Sequence, residues 1–512
     1  MITGDSALTA AEVSRQVGII DTSPKDTYEL REMKLKSKAT NGGSVNNSVF
    51  AFVPISAIQG EYTPEQTIAF VPGNIPTLQK LISKSELSFA ISGDVMTKVA
   101  LSAIAQAIQG SGALPPSLEE KQLFSNPHAQ QMLQSLVPLI TIFARHSPTQ
   151  KEAVIHALNQ CGNTTLMCGD GTNDVGALKH AHVGISIIST PHLEAKERKT
   201  KEGLAYFRNK KKSSKKTKSA ERSLMKELAE TEDELNYVSL GDASVASPFT
   251  SRSMSITCCK HVIQQGRCTL VTMIQIYKIL GVNCLVNALM LSYLHMHGVK
   301  QGDRQMTAIG LVVAVLFFFV TKGKPLSSLS IKRPPSSILS TEALLSISFQ
   351  FIIHWFFIMV ITHISLPFLD PDHPGIIPDG SYNPNVLNSC TFLMLCLTTC
   401  NTFIVNYRGR PFMQGLKENK LLLRALQVCI ALIFICALEA FEPLNQLLQL
   451  SVLPDADSFT ELLVVNNNYQ MDPVLFQIME TIGFKGVLCN VMFLDCFFTY
   501  QVENQIVKKL FS

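Results

Sequence analysis

The chain has 512 residues, of which 46% are hydrophobic and 16% charged, and a formal net charge of +4 at pH 7. So small a positive surplus is too little to suggest nucleic acid, and no nucleic-acid partner is expected; the crowding of apolar runs beyond residue 260 predicts a soluble half followed by a membrane half. The 13 cysteines show no CxxC spacing, and several (Cys284, Cys396, Cys400, Cys429, Cys436, Cys489 and Cys496) fall inside apolar runs as small packing residues, implying neither a disulfide framework nor zinc. Met1 leads straight into Ile-Thr-Gly-Asp5 without a signal-peptide pattern.

In the soluble half, Thr3-Gly4-Asp5 precedes a segment from Ala7 to Val17 that reads as a helix. Residues 20–60, rich in Ser, Asn, Thr and Gly, read as a surface insertion, and Ser92-Gly93-Asp94 reads as the start of a further helix. A strand over Leu139–Ala144 leads into Ser147-Pro148-Thr149-Gln150, a capping box with Pro at the first helical position. The helix it opens, 148–160, carries Lys151 in its first turn.

The next strand, Thr164–Cys168, runs into Met167-Cys-Gly-Asp-Gly-Thr-Asn-Asp-Val-Gly-Ala-Leu-Lys179. Gly169 and Gly171 allow a tight bend where side chains would clash. Asp170 then stands at the carboxyl end of a strand, the ligand edge of an α/β sheet. With Asn173 and Asp174 it makes an oxygen-rich turn suited to Mg²⁺ and a phosphoryl group. A strand at Val183–Ile187 follows, and strands alternating with helices predict a parallel, Rossmann-like sheet. Between Lys196 and Lys226 stand 13 Lys/Arg against three Glu, a composition that predicts a solvated, partly disordered arm. The alternative reading of that arm is contact with anionic lipid or a regulatory partner.

The membrane half reads as six helices, near 268–294, 305–321, 342–365, 386–406, 421–440 and 484–502, each close to the ~20 apolar residues needed to cross. Lys322, Lys324, Lys332 and Arg333 follow the second; Arg408, Arg410, Lys417 and Lys420 follow the fourth; Lys508 and Lys509 close the tail. The opposite loops carry Asp370, Asp372, Asp379, Glu442, Asp455, Asp457 and Asp472, so both ends are expected on the cytosolic side. Within the spans, Asn283 and Asn287 share a face of the first, making them candidates to line a substrate path. His354, Asn388, Asn401, Asn490 and Asp495 read mainly as interhelical hydrogen-bonding residues, with Asp495 a functional candidate as an intramembrane carboxylate.

Three segments in this order resemble the P-type ATPases: Thr3-Gly4-Asp5; Phe143-Ala-Arg-His-Ser-Pro-Thr-Gln-Lys151; and the Gly169–Lys179 hinge run. Gly171-Thr-Asn-Asp-Val-Gly-Ala-Leu-Lys-His180, Leu240-Gly-Asp-Ala-Ser-Val-Ala-Ser-Pro-Phe-Thr250 and Gly266-Arg-Cys-Thr-Leu-Val-Thr272 are similar to the type V group. Asn406-Tyr-Arg-Gly-Arg-Pro-Phe412 and Glu418-Asn-Lys420 resemble its endoplasmic-reticulum branch, type V-A, understood as dislocases of transmembrane helices.

The resemblance implies a fold class: an α/β, haloacid-dehalogenase-like partial phosphorylation domain over 1–190 with an insertion at 20–135. A basic arm (191–236), a connection (237–267) and an all-α six-helix transmembrane domain (268–512) would follow. It implies ATP and Mg²⁺ as cofactors, Asp170 as the metal ligand, and Lys151, Thr3 and Gly4 as contacts to the phosphoryl group. Asp5, Asn173 and Asp174 would fix the surrounding loop. It also implies a lipid bilayer and hydrophobic transmembrane helices as partners, in the endoplasmic reticulum membrane. The family's phosphorylated Asp-Lys-Thr-Gly-Thr is absent from the sequence, which predicts a C-terminal portion with most of the ATP site elsewhere and no autonomous ATP turnover. A type V-B polyamine or cation transporter and a non-catalytic membrane remnant are the alternatives.

Overall fold

The computed structural model describes residues 1–23, 26–34, 48–55, 67–70, 78–80, 82, 87–108, 119–169, 172–187, 247–251, 255–369, 382–454, 478–479 and 481–507. They form two compact units, Met1–Cys259 and Lys260–Ser512. The basic arm at 196–226 and Asp170 lie outside the described residues.

The first unit holds β1 (Thr27–Lys34), β2 (Ser48–Pro54), β3 (Ile68–Ala69), β4 (Ser88–Ser92), β5 (Ile142–Ala144), β6 (Leu166–Gly169), β7 (Val183–Ile187) and β8 (Phe249–Ser251). Its helices are α1 (Ala7–Gln16), α2 (Gly93–Ile108), α3 (Glu120–Ser125), α4 (Pro127–Leu136), α5 (Pro148–Gln160) and α6 (Val175–His180). The strands form two sheets, β3-β2-β1-β4-β5 and β6-β7-β8. The second sheet is wholly parallel, as are β1 with β4 and β4 with β5. Beyond β5, Ile2 adds a parallel bridge to Phe143.

Strand alternation sorts the first sheet into two covered faces. Phe89, Ile91 and Phe143 face a core shared with Val99 of α2, Leu133 of α4 and Val154 of α5. Ala90, Ile142 and Ala144 face a smaller core built on Ala7, Ala10 and Ala11 of α1. Small residues on that side let α1 lie close, and the result is a layered α/β unit.

Two sequence expectations are corrected here. Within residues 20–60, expected to be a surface insertion, the described residues supply β1 and β2 of the sheet, and Leu30 and Phe52 are fully buried. Phe52 and Phe89 rings stand 4.3 Å apart, each burial contributing roughly 1.5–3 kcal/mol. Composition misled because β1 itself carries Thr27, Glu29, Arg31, Glu32 and Lys34 beside its buried Leu30. Nor is the sheet all parallel: β2 runs antiparallel to both β1 and β3, a pairing that needs no crossover helix. The helix expected at Ser92-Gly93-Asp94 is α2, and the strand expected over Leu139–Ala144 is shortened to β5 by a 3₁₀ turn at Val137–Leu139.

The second unit is helical: α7 (Thr257–Met296), α8 (Asp303–Thr321), α9 (Thr341–Ser365), α10 (Val386–Asn406), α11 (Lys420–Ala437), the short α12 (Glu442–Leu447) and α13 (Phe484–Val502). α7 begins within the stretch expected to be a connection, because residues 257–267 contain no proline and continue one helical period into Gln264, Cys268, Val271, Gln275 and Lys278, all buried. Its 40 residues measure about 60 Å, twice the ~30 Å hydrocarbon thickness. Among the described residues, five helices are long and apolar enough to cross a membrane: α7, α8, α9 with its 3₁₀ extension to Phe368, α10 and α11. α13 has the bounds expected of a sixth span, but Lys485, Asn490 and Asp495 leave it short of that standard.

α10 is buried on almost every side, and polar side chains join the helices around it. His354 Nδ1 of α9 lies 2.7 Å from Asp495 Oδ1 of α13, with both side chains fully buried. Ser346 donates to Glu503 at 2.6 Å, and Gln350 and Asn406 exchange hydrogen bonds at 3.0 and 2.8 Å. Gln305 donates to Tyr382 and Asn388 at 3.0 and 2.8 Å. Removing one partner of a fully buried pair leaves an uncompensated polar or charged group, at a cost of about 3–5 kcal/mol. His354→Leu is therefore expected to lower the unfolding stability of the detergent-solubilised chain by that order, and His354→Leu with Asp495→Leu to recover much of the loss.

Candidate functional site

Lys151 and Asp174 meet at the edge where both sheets end. Lys151 is in the first turn of α5, directly after β5. Asp174 closes a 3₁₀ turn, Thr172–Asp174, between β6 and α6. Lys151 Nζ donates to Asp174 Oδ1 at 2.8 Å, and the two side chains are only 13% and 10% exposed. Gly169 is required by this arrangement: a Cβ there would stand 2.7 Å from Asp174 Oδ2.

The local sequence fixes the direction of α5. Ser147 Oγ accepts from Gln150 N at 3.2 Å, and Ser147 N donates to Gln150 Oε1 at 3.0 Å, completing the capping box. The same Gln150 side chain donates to Glu120 at 2.7 Å and to Thr97 at 3.0 Å. Ser147 Oγ donates to the Glu120 carboxylate at 3.0 Å. Arg145 turns the chain between β5 and α5 with a left-handed φ of 52°, a conformation that costs a bulky residue about 1 kcal/mol or more. Gly93 accommodates that turn, since a Cβ there would lie 2.4 Å from Arg145 O.

Thr3, Gly4 and Asp5 run beside this turn. Thr3 N donates to Phe143 O at 2.9 Å, His146 N to Thr3 O at 3.2 Å, and Arg145 N to Asp5 O at 3.0 Å. Asp5 folds back on its own tripeptide, accepting from Thr3 Oγ1 at 2.9 Å while its N–H donates to that hydroxyl at 3.1 Å. Gly4, Asp5 and Asn173 are exposed. The structure thus joins Lys151 to Asp174, and Thr3-Gly4-Asp5 to the loop that leads to Lys151. The side-chain donors fit an anion and a hard cation: an ammonium, a hydroxyl and an exposed amide beside carboxylates, at the carboxyl ends of parallel strands.

Of the expected substrate-path pair, Asn283 Oδ1 accepts from Thr402 at 3.0 Å. Asn283 Nδ2 and Asn287 Oδ1 are buried without a hydrogen-bond partner among the described residues. The roles of Gln150 and Glu120 as supports of Lys151 escaped the sequence reading. Gln150 was visible as the N3 member of the capping box, but nothing local ties Glu120 to it.

His146 is a further buried member of this region, 5% exposed. Its Nδ1 lies 2.9 Å from Ala144 O and its Nε2 3.3 Å from Met96 Sδ. Burial, aided by the charge of Lys151, lowers its pKa to about 4. The unfolded chain, with an ordinary His near 6.5, binds a proton in the window between these values that the folded chain does not. The stability His146 confers is therefore complete above pH 6.5 and falls by up to about 1.4 kcal/mol per pH unit toward pH 4. Thermal unfolding of the solubilised chain between pH 7 and pH 4.5 is expected to show this acid sensitivity, and His146→Gln to flatten it.

No protein-family model matches the chain. A probable manganese-transporting ATPase of Arabidopsis thaliana is 36% identical over 62% of this chain and 30% of its own length. The endoplasmic reticulum transmembrane helix translocase of Schizosaccharomyces pombe is 31% identical over 88% of this chain and 38% of its own length. A polyamine-transporting ATPase of Homo sapiens is 28% identical over 69% of this chain and 22% of its own length. The chain thus spans well under half the length of the curated relatives it matches. Read with the three motif segments and the apolar helices, these matches place it: the chain belongs to the type V P-type ATPases, in the type V-A branch of the endoplasmic reticulum transmembrane helix translocases.

Proposed function

We propose that this chain supplies the electrostatic part of a phosphoryl-transfer site, together with membrane helices, to an ATP-driven translocase that removes transmembrane helices from the endoplasmic reticulum membrane. The observation that carries this reading is the Lys151–Asp174 pair at 2.8 Å, held at the strand ends where a phosphoryl group would sit. Lys151 has further N–H donors for phosphoryl oxygens, and removal of water as the site closes would strengthen that attraction. Thr3 and Gly4 would offer a hydroxyl and a backbone N–H. Asp5, Asn173 and Asp174 would hold the loops in place. Mg²⁺, for which the sequence offers Asp170, neutralises charge on phosphoryl oxygens when bound. The acceptor Asp of the Asp-Lys-Thr-Gly-Thr motif is not in this sequence, so this chain by itself is proposed to turn over no ATP. The haloacid-dehalogenase-like character of the α/β unit, a sixth crossing by α13 and cytosolic placement of both ends belong to the same proposal.

The choice of cargo rests on how the membrane unit uses its charge. A manganese ion wants several oxygen ligands, but the less exposed carboxylates of the membrane unit are already engaged among the described residues. Asp495 is paired with His354, Glu503 with Lys278 at 3.4 Å, and Glu342 with Arg408. A hydrophobic helix needs no such cage. The unpartnered amide atoms of Asn283 and Asn287 would suit a polar group on a passing helix. In vesicles containing the full-length protein that carries this sequence, ATP and Mg²⁺ are expected to release a single-span reporter helix, and Asp170→Asn to abolish release. ATP-driven uptake of Mn²⁺ or a polyamine with no helix release would contradict the proposal.

A further inference from the structure

Three cysteines from segments far apart in sequence meet in the first unit. Cys168 is on β6, one residue before Gly169; Cys258 and Cys259 are in the first turn of α7. Their sulfur atoms all lie within 4.8 Å of one another, and Cys168 Sγ is 3.9 Å from Cys258 Sγ. All three thiols are free and partly exposed.

The spacing discriminates between the chemistries open to such a cluster. A disulfide needs sulfurs about 2.05 Å apart, so 3.9 Å is not a bonded pair. Two thiolates on one metal, with bonds near 2.3 Å and tetrahedral angles, stand about 3.8 Å apart. The observed separation fits the edge of a metal–thiolate polyhedron, with the three sulfurs close enough to converge on one ion. Simple packing of hydrophobic thiols accounts less well for the cluster, because it gathers neighbouring residues, Cys258 and Cys259, on the same partner. Burial pushes the Cys168 thiol above its ordinary range, so a cation would have to displace its proton. The N-terminus of α7 favours the resulting thiolates at Cys258 and Cys259.

We propose that Cys168, Cys258 and Cys259 form a binding site for one thiophilic d¹⁰ cation, of the Zn²⁺ or Cu⁺ class. Three thiolates hold the ion, three protons pass to solvent, and the partial exposure leaves a fourth position for water on Zn²⁺. The ion clamps β6, which ends at Gly169 beside Asp174, to the first turn of α7. Sequence spacing gave no sign of this, since Cys168 and Cys258 are 90 residues apart.

The test uses the whole detergent-solubilised chain in a phosphine-reduced, metal-free buffer, titrated with Zn²⁺ and separately with Cd²⁺. One tight equivalent is expected, with a sulfur-to-cadmium charge-transfer band of three-thiolate intensity. Cys168→Ser, Cys258→Ser and Cys259→Ser are each expected to weaken Zn²⁺ by more than the ~10–100-fold that loss of an outer-shell partner costs. Cys161→Ser, an exposed cysteine of the same unit, is expected to leave affinity unchanged. Circular dichroism of each metal-free variant separates loss of a ligand from loss of fold, and the band intensity of the unmodified chain counts thiolates without any variant. Equal affinity in all variants overturns the site, as does a band of fewer than three thiolates. A Cys168–Cys258 disulfide persisting in the reducing buffer also overturns it, in favour of a redox link.

Discussion

The ion pair between Lys151 and Asp174 is the contact on which the soluble unit's chemistry depends. Its members come from different sheets: Lys151 follows β5 of the five-stranded sheet, and Asp174 follows β6 of the three-stranded one. β5 and β6 share no strand pairing in the described structure. The ligand edges of the two sheets are therefore brought into register by helices α5 and α6 and by this pair. Its low exposure matters more than its Coulomb energy. A pair in water contributes little, whereas one that is nearly dry makes either partner costly to remove.

Supports radiate from each side of the pair. On the lysine side, Glu120 and Thr97 hold Gln150, which caps α5 and so aims Lys151. His146 is buried between Ala144 and Met96, and that burial favours its neutral form. On the aspartate side, Gly169 clears the volume Asp174 occupies. The membrane unit solves a related problem differently. Its ionisable groups are paired between segments, His354 Nδ1 with Asp495 and Lys278 with Glu503, while several amide atoms and His354 Nε2 are buried without a hydrogen-bond partner among the described residues.

Much of this was legible in the sequence where the determinants are local. Ser147-Pro148-Thr149-Gln150 fixed the start of α5 because capping and proline act within one turn. The bounds of α9, α10 and α13 followed from apolar length and flanking polar residues. What stayed hidden depends on residues distant in the chain. Glu120 reaches Gln150 across 30 residues, and His354 reaches Asp495 across 141. Leu30 and Phe52 are central to a core that local composition assigned to the surface. Asp495 was marked as an intramembrane carboxylate, yet nothing local in the sequence pointed to its partner, His354.

The most direct test of the central claim is a double-mutant cycle on Lys151→Met and Asp174→Asn, read as unfolding free energy of the solubilised chain. A desolvated pair joining the two sheets predicts a coupling energy of about 1–3 kcal/mol, the double variant losing less than the sum of the singles. Losses that add to within about 0.5 kcal/mol would contradict it, and would make Lys151 and Asp174 independent neighbours.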